Sequence, residues 1–187
     1  MMRIGVLSVQ GAFAEHIAKL WEYGGETFEI RQKGDIPESF DGLVLPGGES
    51  TVMRKLLHEL ELFEPLITRI ENGLPVLATC AGMILLARIV EGGEPCFGTM
   101  DITVKRNAYG RQLGSFRCTE NFDGKPTEMP FIRAPFVSDA GSARVLAVHD
   151  NRIVAVKQGA QLACAFHPEL TDDSTVYDMF LNDCKGE

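Results

Sequence analysis

PVLATCAGMILLAR, residues 75–88, decides the fold. PVLAT (75–79) reads as a strand, an apolar run of small and branched residues. AGMILLARIV (81–90) reads as a helix that starts two residues later. Cys80 sits at the join, flanked at two residues' distance by Ala78 and Gly82. The same alternation extends upstream. IGVLSV (4–9) is a buried strand, and AFAEHIAKLWEYG (12–24) sets Phe13, Ile17, Leu20 and Trp21 on one helical face before Gly24-Gly25 closes it. TFEIR (27–31) and GLVLPGG (42–48) are strands, the second ending in a turn. STVMRKLLHELELFEPLITRIENG (50–73) gives two short helices divided near Pro65, since proline is tolerated only in a helix's first turn. Strands that alternate with helices imply a parallel sheet with helices on both faces.

Downstream of residue 90 the pattern changes to short strand-like segments: DITVKRN, GSFRCTENF, MPFIRAPFV, RVLAVH, RIVAVKQ and QLACAFHPE. RVLAVH-DN-RIVAVKQG predicts a hairpin on a two-residue loop, and STVYDMFLNDC (174–184) a closing helix. The expectation is a single α/β domain over 1–187: a central mostly parallel, flavodoxin-like sheet flanked by helices, with antiparallel strands in the C-terminal half.

Charge and cysteine usage narrow the function. Acidic residues exceed basic ones, 26 against 18, so the chain offers no electrostatic footprint for a phosphate backbone and nucleic acid is not an expected partner. The run Leu74 to Ala87, broken by Pro75 and Thr79, is too short to span a bilayer, and the N-terminal apolar segment is too short for a signal peptide. No membrane association is expected. The 5 cysteines are odd in number and lack CxxC spacing, which points to a reduced cytoplasmic protein without a disulfide framework or zinc ribbon.

Three segments carry chemistry. Ala78-x-Cys80-x-Gly82 fits the small-x-nucleophile-x-small form of a nucleophile elbow, where a crowded strand-to-helix corner demands small flanks. A buried inert thiol fits the same residues. HPE ends the apolar stretch LACAFHPE: Pro168 favours extended geometry at His167, and in an extended chain Glu169 lies on the same side as the imidazole. A strand-end histidine beside an unrelated glutamate is the other reading. His16 and His58 lie in helical patterns among charged neighbours and read as solvated, and His149 falls at the hairpin tip. LPGGES (45–50) ends a strand before a helix, where Gly-Gly allows an oxyanion hole or an ordinary turn. Neither a Walker loop nor GxGxxG is present, so a phosphate or dinucleotide role has no support.

PGG, then the cysteine elbow, then HPE resemble the class I (triad) glutamine amidotransferases. With GVLSVQGAFAEH (5–16), LPGGEST (45–51), TCAGMILLA (79–87), RNAYGRQ (106–112), FIRAP (131–135) and FHPEL (166–170) the chain resembles one family among them, the glutaminase subunits of pyridoxal 5′-phosphate synthase. These segments span nearly the whole chain in order. Two departures are Ala78, where glycine is usual, and Ser8, where alanine or leucine is commoner. The resemblance implies a class I glutamine amidotransferase fold and a catalytic triad of Cys80, His167 and Glu169. It implies an oxyanion hole at Gly48 and Ala81, and glutamine contacts from Gly47, Gly48, Glu49, Arg106, Ile132 and Arg133. It implies hydrolysis of L-glutamine to L-glutamate and ammonia through a glutamyl thioester. Ammonia would pass to a PdxS-type pyridoxal 5′-phosphate synthase subunit in a hetero-oligomeric complex, for vitamin B6 biosynthesis. No metal or organic cofactor is expected on this chain. The nearest rival, the glutaminase subunit of imidazole glycerol phosphate synthase, shares the triad, and RNAYGRQ and FIRAP argue against it. Deglycase-type hydrolases carry histidine directly after the nucleophile, where this chain has Ala81. A non-catalytic docking module would be expected to lack one of the triad residues.

Overall fold

In the computed structural model, which describes residues 2–106 and 114–186, the strands are β1 (Arg3–Leu7), β2 (Glu26–Ile30), β3 (Gly42–Leu45), β4 (Val76–Thr79), β5 (Ala87–Glu91), β6 (Met100–Lys105), β7 (Ser115–Phe122), β8 (Lys125–Ile132), β9 (Phe136–Asp139), β10 (Arg144–His149), β11 (Arg152–Gln158) and β12 (Gln161–Cys164). The helices are α1 (Phe13–Glu22), α2 (Ser50–Glu59), α3 (Phe63–Glu71), α4 (Ala81–Leu86) and α5 (Thr175–Lys185). Ten strands form one sheet in the order β2-β1-β3-β4-β12-β11-β9-β6-β5, with β10 paired to β11, and β7 and β8 form a separate antiparallel ribbon.

β1 to β4 and β12 are mutually parallel, with every residue of β3 and β4 buried, which is why those segments carry no polar alternation. Antiparallel pairing starts beyond β12, as the change of pattern in the second half predicts. This is the single α/β domain read from the sequence. The Asp150-Asn151 hairpin also forms, both residues taking the positive φ (48° and 57°) that a two-residue loop of this twist needs. The PGG turn and the elbow leave the C-terminal ends of adjacent strands β3 and β4, and HPE follows β12 on the other side of β4. In open α/β sheets that edge is where ligands bind.

Several element boundaries differ from the sequence reading. Helix α4 stops at Leu86, and Ala87–Glu91 is a strand, because branched Ile89 and Val90 pair in parallel with Thr103 and Val104 of β6. MPFIRAPFV is two strands, β8 and β9, separated at Arg133, whose φ of 44° turns the chain. The two helices of residues 50–73 divide at residues 60–62, and Pro65 lies in the first turn of α3. On α1 the fully buried side chains are His16 and Leu20, one turn apart, while Trp21 is 65% exposed and only bonds Thr27 through its indole N–H. Both departures from the pattern fit, since Ala78 packs in register between Leu45 and Ala163 and the Ser8 hydroxyl donates to Val6 O.

Candidate active site

Cys80 is the residue between β4 and α4, and its backbone sits at φ 49°, ψ −104°. An L-residue held there costs about 1–3 kcal/mol, which the surrounding structure must offset. Two contacts hold it: the Cys80 N–H donates to Cys164 O of β12 at 2.8 Å, and the corner packs on β3. A β-carbon on Gly82 would lie 2.0 Å from Leu45 O, so only glycine lets the elbow approach β3. Gly82→Ala is therefore expected to lower stability by about 3 kcal/mol, because the obstacle is a backbone carbonyl rather than a flexible side chain. A urea unfolding midpoint unchanged from wild type would contradict this packing.

His167 is also buried, with Nδ1 2.6 Å from Glu169 Oε1, and its ring and the Cys80 side chain both close over Gly47. The pairing predicted for His167 and Glu169 is present, but its geometric reason is different. The strand ends at Cys164, and Pro168–Leu170 is a turn of 3-10 helix that folds the carboxylate back onto the imidazole. The His167 N–H donates to Pro130 O of β8 at 2.8 Å, which anchors this turn to the ribbon. Burial disfavours the imidazolium, but the hydrogen bonds to Cys80 and Glu169 and the Glu169 charge outweigh it and raise the His167 pKa. Burial likewise opposes the Glu169 carboxylate, and the two histidines more than offset it, holding its pKa below the usual range.

The second of those histidines, His16, was read from the sequence as solvated. It is fully buried, with Nε2 3.0 Å from Thr79 Oγ1 and 3.4 Å from Glu169 Oε2, and Nδ1 2.8 Å from the Tyr177 hydroxyl. Burial lowers the His16 pKa and raises that of Tyr177, so a neutral ring accepts the Tyr177 O–H at Nδ1 and directs Nε2–H toward Thr79 and Glu169. Both Glu169 oxygens thus face an imidazole. The available signal was the spacing of His16 to Leu20, four residues along one helical face.

A cleft of about 470 Å³ opens over Cys80 and His167, lined also by Gly47, Gly48, Glu49, Ala81, Arg106, Ile132 and Arg133. Every predicted site residue except Glu169, which stands behind His167, meets this cavity. The Glu49 carboxylate is committed elsewhere: it caps α2 by accepting from the Thr51 and Val52 N–H groups and meets Arg106 at 3.3 Å. Burial opposes its charge, and those N–H donors with Arg106 reverse the effect and lower its pKa. Residues 107–112 of RNAYGRQ lie outside the described residues. The PGG turn is braced from the first βα loop: Ala12 N–H donates to Gly47 O at 2.9 Å, and Glu49 N–H donates to Gln10 Oε1 at 2.8 Å. Sequence reading did not single out this bracing by Gln10 and Ala12.

Among the other thiols, burial pushes Cys96 and Cys184 up to about 12 and raises Cys164 and Cys118 as well. Among the described residues, no helix is long and apolar enough to cross a membrane.

Comparison with known proteins gives a consistent result. The profile of the SNO glutamine amidotransferase family matches residues 6–186. A pyridoxal 5′-phosphate synthase subunit PdxT of Methanocorpusculum labreanum is 56% identical, with 99% of each chain covered. One from Desulfitobacterium hafniense is 49% identical over 99% of this chain and 94% of its own. A crystal structure of a glutamine amidotransferase superposes with a TM-score of 0.91 at 38% identity, covering 97% of this chain and 98% of that one.

Proposed function

The chain belongs to the SNO glutamine amidotransferase family, and we propose that it is the glutaminase subunit of a pyridoxal 5′-phosphate synthase, with Cys80, His167 and Glu169 as its catalytic triad. The observation that carries the assignment is the buried Cys80–His167–Glu169 line at the edge of a cleft, with a 2.6 Å His167–Glu169 hydrogen bond.

Glutamine enters with its side-chain amide over Cys80 and its charged α-groups toward the outer cleft. Arg106 and Arg133 are the cations there that suit its α-carboxylate. As the Cys80 sulfur attacks the amide carbon, its thiol proton passes to His167 Nε2 and the carbonyl π electrons move onto oxygen. The N–H groups of Gly48 and Ala81 receive that oxyanion, each such donor contributing about 3 kcal/mol in comparable sites. Ala81 opens α4, so its N–H has no acceptor within the helix. Glu169 holds Nδ1 of His167, leaving Nε2 to protonate the departing nitrogen, and ammonia leaves as the C–N bond breaks. His167 then takes a proton from water, which attacks the γ-glutamyl thioester. Collapse of that second intermediate returns the sulfur to Cys80 and frees glutamate.

The ammonia passes to a synthase subunit docked on this chain, a reading supported by the PdxT relatives' name as subunits of pyridoxal 5′-phosphate synthase. The segment SVQGAFAEH is the proposed docking surface, and its bonds to the PGG turn provide a route by which docking sets the Gly47–Gly48 peptide for catalysis. Gln10→Ala should weaken complex formation and lower partner-stimulated turnover about tenfold, the cost of one lost hydrogen bond that positions the turn. If sedimentation and glutamate release both match wild type, the segment has no such role.

The direct test is glutamate release from glutamine by the purified chain, alone and with a pyridoxal 5′-phosphate synthase subunit. Turnover that rises on adding the partner supports both reaction and partner. A complex that forms without glutamate release would make the chain a docking module.

A further inference from the structure

Outside the cleft, a second group of side chains converges with no part in the proposed reaction. Cys118 and Glu120 stand two apart on β7, so both project from the same side of the strand, and His149 ends β10 over them. His149 Nδ1 lies 3.5 Å from Cys118 Sγ and 2.7 Å from Glu120 Oε1, and one ligand atom of each residue falls within 4.8 Å of the others. All three are half-buried and none lines the catalytic cleft. The His149 ring is flanked by Phe116 at 5.2 Å and Phe131 at 5.6 Å between centroids, which fixes the plane in which Nδ1 points. A thiol, a carboxylate and an imidazole nitrogen are thus aimed at one point by two elements that are remote in sequence.

We propose that Cys118, Glu120 and His149 form a site for a zinc-like divalent cation, with solvent in the fourth position. The thiol's other contact is a long one, to Met129 O at 4.0 Å, and the thiol and the carboxylate both converge on His149 Nδ1, an arrangement in which one cation accepts all three as ligands. The spacing fits. Metal–sulfur and metal–nitrogen bonds of about 2.3 and 2.0 Å at a tetrahedral angle put the two atoms about 3.5 Å apart, which is the Cys118–His149 separation. The Glu120 oxygen needs to move outward by less than about 1 Å, within the reach of a half-exposed side chain. The donor set, one thiolate, one imidazole and one carboxylate, selects zinc or cobalt over magnesium and calcium. On binding, the Cys118 proton leaves to solvent and its sulfur lone pair forms the metal bond, and His149 binds through Nδ1 with its proton on Nε2. The ion would tie β7 of the ribbon to the β10–β11 hairpin, next to the ribbon that anchors His167 through Pro130.

The test is cobalt(II) titration of the full-length chain carrying Cys80→Ala, which removes the other thiol–imidazole pair. The expected result is a thiolate-to-cobalt charge-transfer band that saturates near one ion per chain. Zinc should bleach it, and Cys118→Ala or His149→Ala, each added to that background, should weaken binding by at least about tenfold while the ion-free protein still unfolds cooperatively in urea. Glu120→Gln should keep the band and weaken binding less. No band, or a band that survives Cys118→Ala, overturns the proposal.

Discussion

Cys80→Ala abolishes glutamine hydrolysis, by roughly 10⁴-fold or more in turnover, the scale on which triad hydrolases lose activity without their nucleophile. No neighbouring group can substitute for it. Cys164, which accepts the Cys80 N–H on its carbonyl, is fully buried, and its thiol is pushed up by burial. Cys96 and Cys184, held near 12, are almost wholly protonated at neutral pH. The substitution removes one sulfur at a site where alanine meets the same backbone demand, so the unfolding midpoint should stay within a few degrees of wild type. Glutamate release with the synthase subunit present is the measurement. Turnover above about one tenth of wild type would mean that the nucleophile lies elsewhere. An electrophilic glutamine analogue provides a second check, because it should label Cys80 and leave the four other thiols untouched.

Glu169→Gln slows hydrolysis by about 10²–10⁴-fold while the fold persists. The carboxylate accepts from His167 Nδ1 and faces His16 Nε2 with its other oxygen. A glutamine keeps the shape but presents an NH₂ group to one of the two rings. Facing His167, it enforces the tautomer with its proton on Nε2, and the nitrogen that must take a proton is already occupied. In the serine triad, the equivalent carboxylate-to-amide change costs about 10⁴ for that reason. Facing His16, it leaves an N–H against an N–H. The effect should fall on kcat, with KM little changed, since Glu169 does not line the cleft. The stability profile gives an independent readout. The folded-state pKa of Glu169 lies below its ordinary 4.5, so its carboxylate contributes stability above that pH and the contribution fades as pH falls below it. The glutamine variant should lack this part of the acid limb of a stability–pH curve. Equal turnover for variant and wild type would remove Glu169 from the triad.

How far the sequence discloses this molecule depends on whether the signal is local. β3 and β4 read as strands because both their faces are covered, which leaves an uninterrupted apolar run. The elbow reads as an elbow because its crowding is met by residues two positions away, Ala78 and Gly82. The placement of Cys80 at the strand-to-helix corner was legible for that reason, whereas the pairing of His167 with Glu169 was anticipated from extended geometry and is made instead by a 3-10 turn. Residues 87–90 were misread because they continue the apolar run of α4 with no intervening glycine or proline, and pairing with β6, a contact distant in sequence, makes them a strand. His16 was misread for a related reason. Its flanking charges describe the exposed side of α1, whereas its own position is set by Tyr177, Thr79 and Glu169 from elsewhere in the chain. The bracing of the PGG turn by Gln10 and Ala12 is equally non-local.

The bond from Cys80 N–H to Cys164 O has a consequence for the life history of the molecule. β4 and β12 are neighbours in space, but most of the C-terminal half is synthesised between them. Pairings of such long sequence separation form late, after the entropy of closing the intervening chain has been overcome. A nascent or partly folded chain therefore carries the cysteine without the dihedral angles that aim it, and without the histidine that lies just past β12. If Cys80 is the nucleophile proposed above, its chemistry is acquired only once β12 is in place, and a chain released before that point is expected to be inactive.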